Sequence, residues 1–222
     1  MTQTQEGVIK FDLQYRAQAR LPLDEMVVTT AVSALNGWRQ LCLRLGLIGQ
    51  DPARYDGYGF GNISQRVSPE GAFVISGTQT GGLATLTAVD FALVTTCDPT
   101  QNRVCAVGPV KPSSESMTHA VLYRLDPAIQ AVIHVHSPVM WHTAVALNLP
   151  QTAADVPYGT PAMAAEVERL FRDTAVASGG IFSMAGHEDG IVAFGASLEA
   201  AGAVLVATLV RAWQQQAPTA QP

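Results

Sequence analysis

Hydrophobic positions fall at helical spacing across residues 24–48. Met26, Val27, Ala31, Ala34, Leu35, Trp38, Leu41 and Leu45 share one stripe, and Gly46 and Gly49 follow as stop signals. Short apolar or alternating runs predict strands at 62–66, 72–76, 92–96, 103–107, 131–136, 181–184 and 190–194. Turn residues at 68–71 and 98–102 separate some of them, and 51–61 reads as a loop rich in Gly and Tyr. Helical patterns return at 114–125, with Ser113 as N-cap, and at 138–147, 161–178 and 197–214. One helical turn is expected at 87–91, and Asp126-Pro127 ends the helix before it. Strands and helices intermix, with a hairpin-like first half. That pattern predicts a mixed α/β fold in three layers.

Composition narrows the function classes. The chain has 222 residues and only 14% of them are charged, against about 25% in an average globular protein. With 48% hydrophobic residues it is no disordered chain. Thirteen basic against eighteen acidic residues, with no basic run, argue against nucleic-acid binding. So little charge also suggests that part of the surface is covered by another subunit. The longest apolar run, 200–210, is too short to span a bilayer and reads as a buried helix. Cys42, Cys97 and Cys105 form neither a disulfide framework nor a CxxC metal site. The polar start, 1–6, lacks signal-peptide features, so a cytoplasmic protein is expected. The stretch 214–222 reads as a polar tail.

The chemistry gathers around histidine. In Val132-Ile-His134-Val-His136 the alternation of a strand puts both imidazoles on one face. Two imidazoles so placed suit a metal, although two polar positions on a half-exposed strand would read the same way. Lys111-Pro-Ser-Ser-Glu115 opens a helix, where free N–H groups with Ser113 and Ser114 could hold an anion. Glu115 could equally be a surface carboxylate compensating the helix dipole. His119 shares its helical face and is a weaker ligand candidate than His134 and His136. Gly61-Asn62-Ile-Ser64 and Ile75-Ser76-Gly77-Thr78 are small-residue turns where backbone could approach a ligand. His187, in a loop before a strand, gains meaning only as a third imidazole.

In order, these segments resemble the class II aldolase/adducin family over about residues 24–213, leaving 1–23 as an N-terminal extension. The resemblance implies a three-layer α/β/α fold around a central, mainly antiparallel sheet. It implies a homotetramer with sites near subunit boundaries. Glu115, His134, His136 and His187 would bind one divalent metal, usually Zn²⁺, with Mn²⁺ or Co²⁺ as alternatives. Glu115 would leave the metal when substrate arrives and act as the base. Gly61, Asn62, Ser76, Gly77, Thr78, Ser113 and Ser114 would hold the substrate's distal end, commonly a phosphate. The implied activity is a lyase reaction: aldol cleavage of a small hydroxy-ketone or sugar phosphate through a metal-bound enediolate. An epimerase, dehydratase or decarboxylase would use the same metal site, and a non-catalytic adducin-like module is the remaining alternative. Three features depart from the family pattern. Gln79 stands where a glycine usually follows the threonine. The His187-Glu-Asp-Gly190 stretch is two residues longer than the family's His-Gly pair, so Glu188 or Asp189 could join the site. No tyrosine lies in 149–155, where the aldolases supply an acid, and Tyr158 is the nearest.

Overall fold

The computed structural model describes residues 7–216. It begins with a strand the hydrophobic pattern does not announce, β1 (Asp12–Ala17), within the stretch read as an extension. Helix α1 (Glu25–Arg44) follows, capped by the Asp24 side chain, which accepts the Met26 N–H at 2.8 Å. A small hairpin, β2 (Gly49–Gln50) with β3 (Gly59–Phe60), flanks the loop between them. Then come β4 (Asn62–Arg66), β5 (Phe73–Ser76), β6 (Phe91–Asp98) and β7 (Arg103–Gly108). Helix α2 (Ser116–Leu125), strand β8 (Ala131–His136) and helices α3 (Pro138–His142), α4 (Pro161–Asp173) and α5 (Val176–Gly179) lead to β9 (Ile181–Ser183) and β10 (Gly190–Gly195). Helix α6 (Leu198–Gln216) closes the described chain.

Eight strands form one sheet in the order β1-β7-β6-β5-β4-β8-β10-β9. Only β1 with β7 is parallel, so the sheet is mainly antiparallel, as expected. Its two faces carry separate cores. Leu35 of α1, Met140 of α3 and Leu205 of α6 pack on Ile63, Ile133, Val135 and Ile191. Met117 and Val121 of α2 and Val167 of α4 pack on Ile75, Val132 and Val192. The result is three layers. Ile133 and Val135 are fully buried, each worth about 1.5–3 kcal/mol. A one-residue slip of β8 would exchange them with the histidines, so burial fixes which face the imidazoles take.

Some predicted boundaries move. The helix expected from 114 starts at Ser116, with Glu115 rather than Ser113 as its N-cap. Ser113 instead makes a turn: its Oγ accepts the Glu115 N–H and its carbonyl the Ser116 N–H. The helix read over 138–147 ends at His142, and Thr143 Oγ1 bonds back to the Val139 carbonyl at 2.6 Å. The helix read over 161–178 divides at Thr174, whose hydroxyl donates to the Leu170 carbonyl and receives the Val176 N–H. Helix α6 continues to Gln216, into the stretch read as a polar tail. Residues 1–6 and 217–222 lie outside the described residues. Among the described residues, no helix is long and apolar enough to cross a membrane.

Candidate metal centre and substrate pocket

Strand β8 sits inside the sheet, paired with β4 on one side and β10 on the other. Its alternation sends His134 and His136 to the α2 face, both fully buried. His187 arrives from the turn before β10. The turn closes on itself, with the His187 N–H on the Met184 carbonyl and the Gly190 N–H on the His187 carbonyl. Asp189 takes a left-handed φ of 62° to complete it. The longer His187–Gly190 stretch thus still delivers its imidazole. His134 and His187 stack at 5.2 Å, and His136 meets His187 edge-on at 4.7 Å. One nitrogen from each of the three rings lies within 4.8 Å of the others.

Glu115 reaches this triad from the start of α2. Its Oε1 lies 3.4 Å from His187 Nδ1, and its Oε2 accepts the Thr118 hydroxyl at 2.8 Å. The carboxylate therefore stands beside His187, buried and held from behind.

The donor set fits a divalent cation. His134 Nδ1–H donates to the Ile191 carbonyl at 3.2 Å, which leaves Nε2 as the lone-pair nitrogen. That Nε2 is buried without a hydrogen-bond partner, the condition expected of a metal-facing donor and costly otherwise. Burial first, and then neighbouring His187, hold His134 and His136 well below the ordinary histidine range. Neutral imidazole is the form that ligates metal. His119 belongs elsewhere: its Nδ1 meets Ser64 Oγ at 2.7 Å, and Ser64 in turn meets the Tyr123 hydroxyl at 2.7 Å. Burial pushes the His119 pKa down to about 3.

A rim that sequence reasoning missed stands over the triad. Tyr55 lies edge-on against His136 at 4.6 Å, and its hydroxyl donates to Asp189 Oδ2 at 2.5 Å. Arg54 Nη2 donates to the same hydroxyl at 2.7 Å. Burial and the Asp189 carboxylate raise the Tyr55 phenol above its ordinary range. Tyr55 and Asp56 both hold left-handed backbone, at φ 49° and 55°, a strain of about 1–3 kcal/mol each. Nothing in the sequence signals it, because neither residue is a glycine. Asp189 is thus tied to the rim, and Glu188 is exposed. The Tyr158 ring stacks on His187 at 4.5 Å, but its hydroxyl hydrogen-bonds the Val8 backbone. A cavity of about 720 Å³ opens here, lined by Arg54, Tyr55, His142, Tyr158 and His187 among others.

The residues expected at the substrate's distal end also converge. Gly61, Asn62, Gly77, Thr78, Ser113 and Ser114 line one small cavity together with Gly59, Gln79 and Gly81. Ser76 does not line it; its hydroxyl accepts the Ile63 N–H at 3.2 Å.

Comparison with known proteins bears on the family and the fold. Residues 52–216 match the class II aldolase and adducin N-terminal domain family. The L-fuculose-1-phosphate aldolase of Thermus thermophilus superposes with a TM-score of 0.61 at 19% identity, over 89% of this chain and 99% of that one. A sugar-phosphate aldolase from Thermotoga maritima gives 0.60 at 16% identity, over 89% and 97%. An aldolase II superfamily protein from Pseudomonas syringae gives 0.53 at 20%, over 88% and 76%. These likenesses establish a shared fold. The family match covers well over half of the sequence, and the chain belongs to the class II aldolase and adducin family.

Proposed function

We propose that this chain is a metal-dependent carbon–carbon lyase acting on a small hydroxy-ketone or sugar derivative. One observation carries the reading: three buried imidazoles converge beside a buried carboxylate, next to a cavity of about 720 Å³. His134, His136 and His187 would hold one divalent cation, with Glu115 as a fourth donor able to let go. Three nitrogen donors and a carboxylate suit Zn²⁺ best, with Mn²⁺ and Co²⁺ also accommodated. A labile fourth position is the mark of a catalytic rather than a structural site. When bound, the metal supplies Lewis-acid stabilisation of the negative charge that develops on substrate oxygens.

The protein's own groups do the rest. Glu115 takes the proton from the substrate's hydroxyl or carbon, and burial with the Thr118 hydrogen bond fixes the carboxylate's direction. The Ile191 carbonyl fixes the His134 tautomer. The Tyr55 ring shields His136 from water. The same family resemblance leads us to place the chain in a homotetramer. Exposed Met26, Val145 and Trp213, at 76%, 78% and 49%, are apolar surface that subunit contacts would cover.

Elemental analysis is expected to find about one divalent metal per chain. The double variant His134→Ala with His136→Ala should lose it, and unchanged metal content would refute the ligand assignment. Glu115→Gln should abolish solvent-deuterium incorporation into dihydroxyacetone, used as a minimal hydroxy-ketone probe. Undiminished incorporation would remove Glu115 from the role of base.

A further inference from the structure

The next inference rests on the hydroxy-ketone reading above and concerns the other end of the substrate. We propose that Gln79 seals the distal pocket, so that the substrate is an unphosphorylated hydroxy-ketone. The pocket formed by Gly61, Asn62, Gly77, Thr78, Ser113 and Ser114 has a volume of only about 20 Å³. That is space for roughly one water molecule, not for a phosphoryl group.

Gln79 stands at the edge of this pocket. Its backbone is left-handed at φ 57°, and its exposed side chain forms part of the pocket wall. Its Oε1 accepts the Gly59 N–H at 3.1 Å. Its Nε2 faces Gly7 so closely that a Cβ at position 7 would collide with it. The amide thus bridges two walls, the β2–β3 hairpin and the segment before β1.

Two backbone donors of the pocket are already engaged. The Gly77 N–H goes to the Asp90 carbonyl at 2.8 Å and the Thr78 N–H to the Lys111 carbonyl at 3.0 Å. The Glu115 and Ser116 N–H groups turn back onto Ser113, so two N–H groups of this helix start are not free for an anion. No lysine or arginine is among the residues lining the pocket, and Lys111 is exposed. A phosphate dianion buried there would lack a compensating positive side chain.

Gln79→Gly tests this cleanly, because the position already has a φ that glycine adopts without strain. Gln79→Asn is the second variant, since asparagine tolerates the same backbone with a shorter amide. Zinc-loaded protein is titrated calorimetrically with dihydroxyacetone and with dihydroxyacetone phosphate. The ketone end is common to both, so the ratio of their Kd values isolates the phosphate. Wild type is expected to bind the unphosphorylated ketone at least tenfold more tightly. Gln79→Gly should narrow that ratio tenfold or more by gaining affinity for the phosphate ester, with Gln79→Asn in between. A wild type that prefers the phosphate ester overturns the proposal, and so does a ratio that neither variant changes. Binding of neither ketone by wild type is a different failure: it refutes the hydroxy-ketone reading itself and this inference with it.

Discussion

Gly61 joins β3 to β4 immediately before Asn62 and lies against the backbone of β8, the strand that carries His134 and His136. Its φ is 73°, and a Cβ there would come within 2.6 Å of Ile48 Cγ1 and 3.1 Å of the His134 carbonyl. Gly61→Ala therefore incurs two costs. A left-handed backbone costs a non-glycine residue about 1–2 kcal/mol. Forcing a methyl group into a packed site adds about 1–3 kcal/mol. Together they come to roughly 3 kcal/mol, or a fall in Tm of about 6–12 °C for a chain of this size. Gly46 supplies the control: its φ is 68°, but nothing lies within 4 Å of the added carbon. Gly46→Ala should incur only the backbone cost, about half as much. Differential scanning calorimetry of both variants separates the two terms. If they melt at the same temperature, the steric part of the reasoning is wrong. Zinc affinity offers a second reading, since only Gly61→Ala presses on the His134 peptide.

Other expectations follow from buried groups. Arg39 is 1% exposed and donates to the Thr80 and Gly81 carbonyls at 2.8 and 3.1 Å. Arg39→Met keeps the stem but strands those carbonyls, so the urea midpoint should fall by the equivalent of about 2–4 kcal/mol; an unchanged midpoint would show that water replaces the guanidinium. His119 stays neutral in the folded chain down to a pKa of about 3, against an ordinary 6.5. Between those values the unfolded chain binds a proton that the folded one does not. Stability is thus complete above about pH 6.5 and falls as the pH drops, by about 1.4 kcal/mol per unit. His119→Gln should flatten the dependence by that slope, and parallel curves would contradict the assignment. Light scattering should return four times the 23.5 kDa chain mass; a monomer would refute the tetramer.

How far the sequence carried depended on where each element's signal lay. Strand β8 was read to the residue, because 131–136 is buried on both faces and ends at Ser137-Pro138. Strand β1 was missed because it is an edge strand with little buried surface, and its partner lies some ninety residues away. The histidines and Glu115 were legible as chemistry at recognisable spacing. Arg54 and Tyr55 were not, because a loop's fold-back onto Asp189 leaves no periodicity to read. The start of α2 was misplaced by the Ser113 turn, a local hydrogen-bond choice that competes with the helix. Gln79 stood out by its residue type, but its contact with Gly59 required three dimensions.

The site's parts also differ in how they can open. Strand β8 is paired with strands on both sides, sixth in the order of eight. Its amide protons should exchange with solvent only when the whole domain unfolds, among the slowest in the chain. The rim rests on one loop, one phenol–carboxylate bond and strained backbone, and should exchange by local opening many times faster. The imidazole floor would then stay in place through cycles of rim opening. A ligand could enter and leave past Tyr55 without disturbing the side chains proposed to hold the metal.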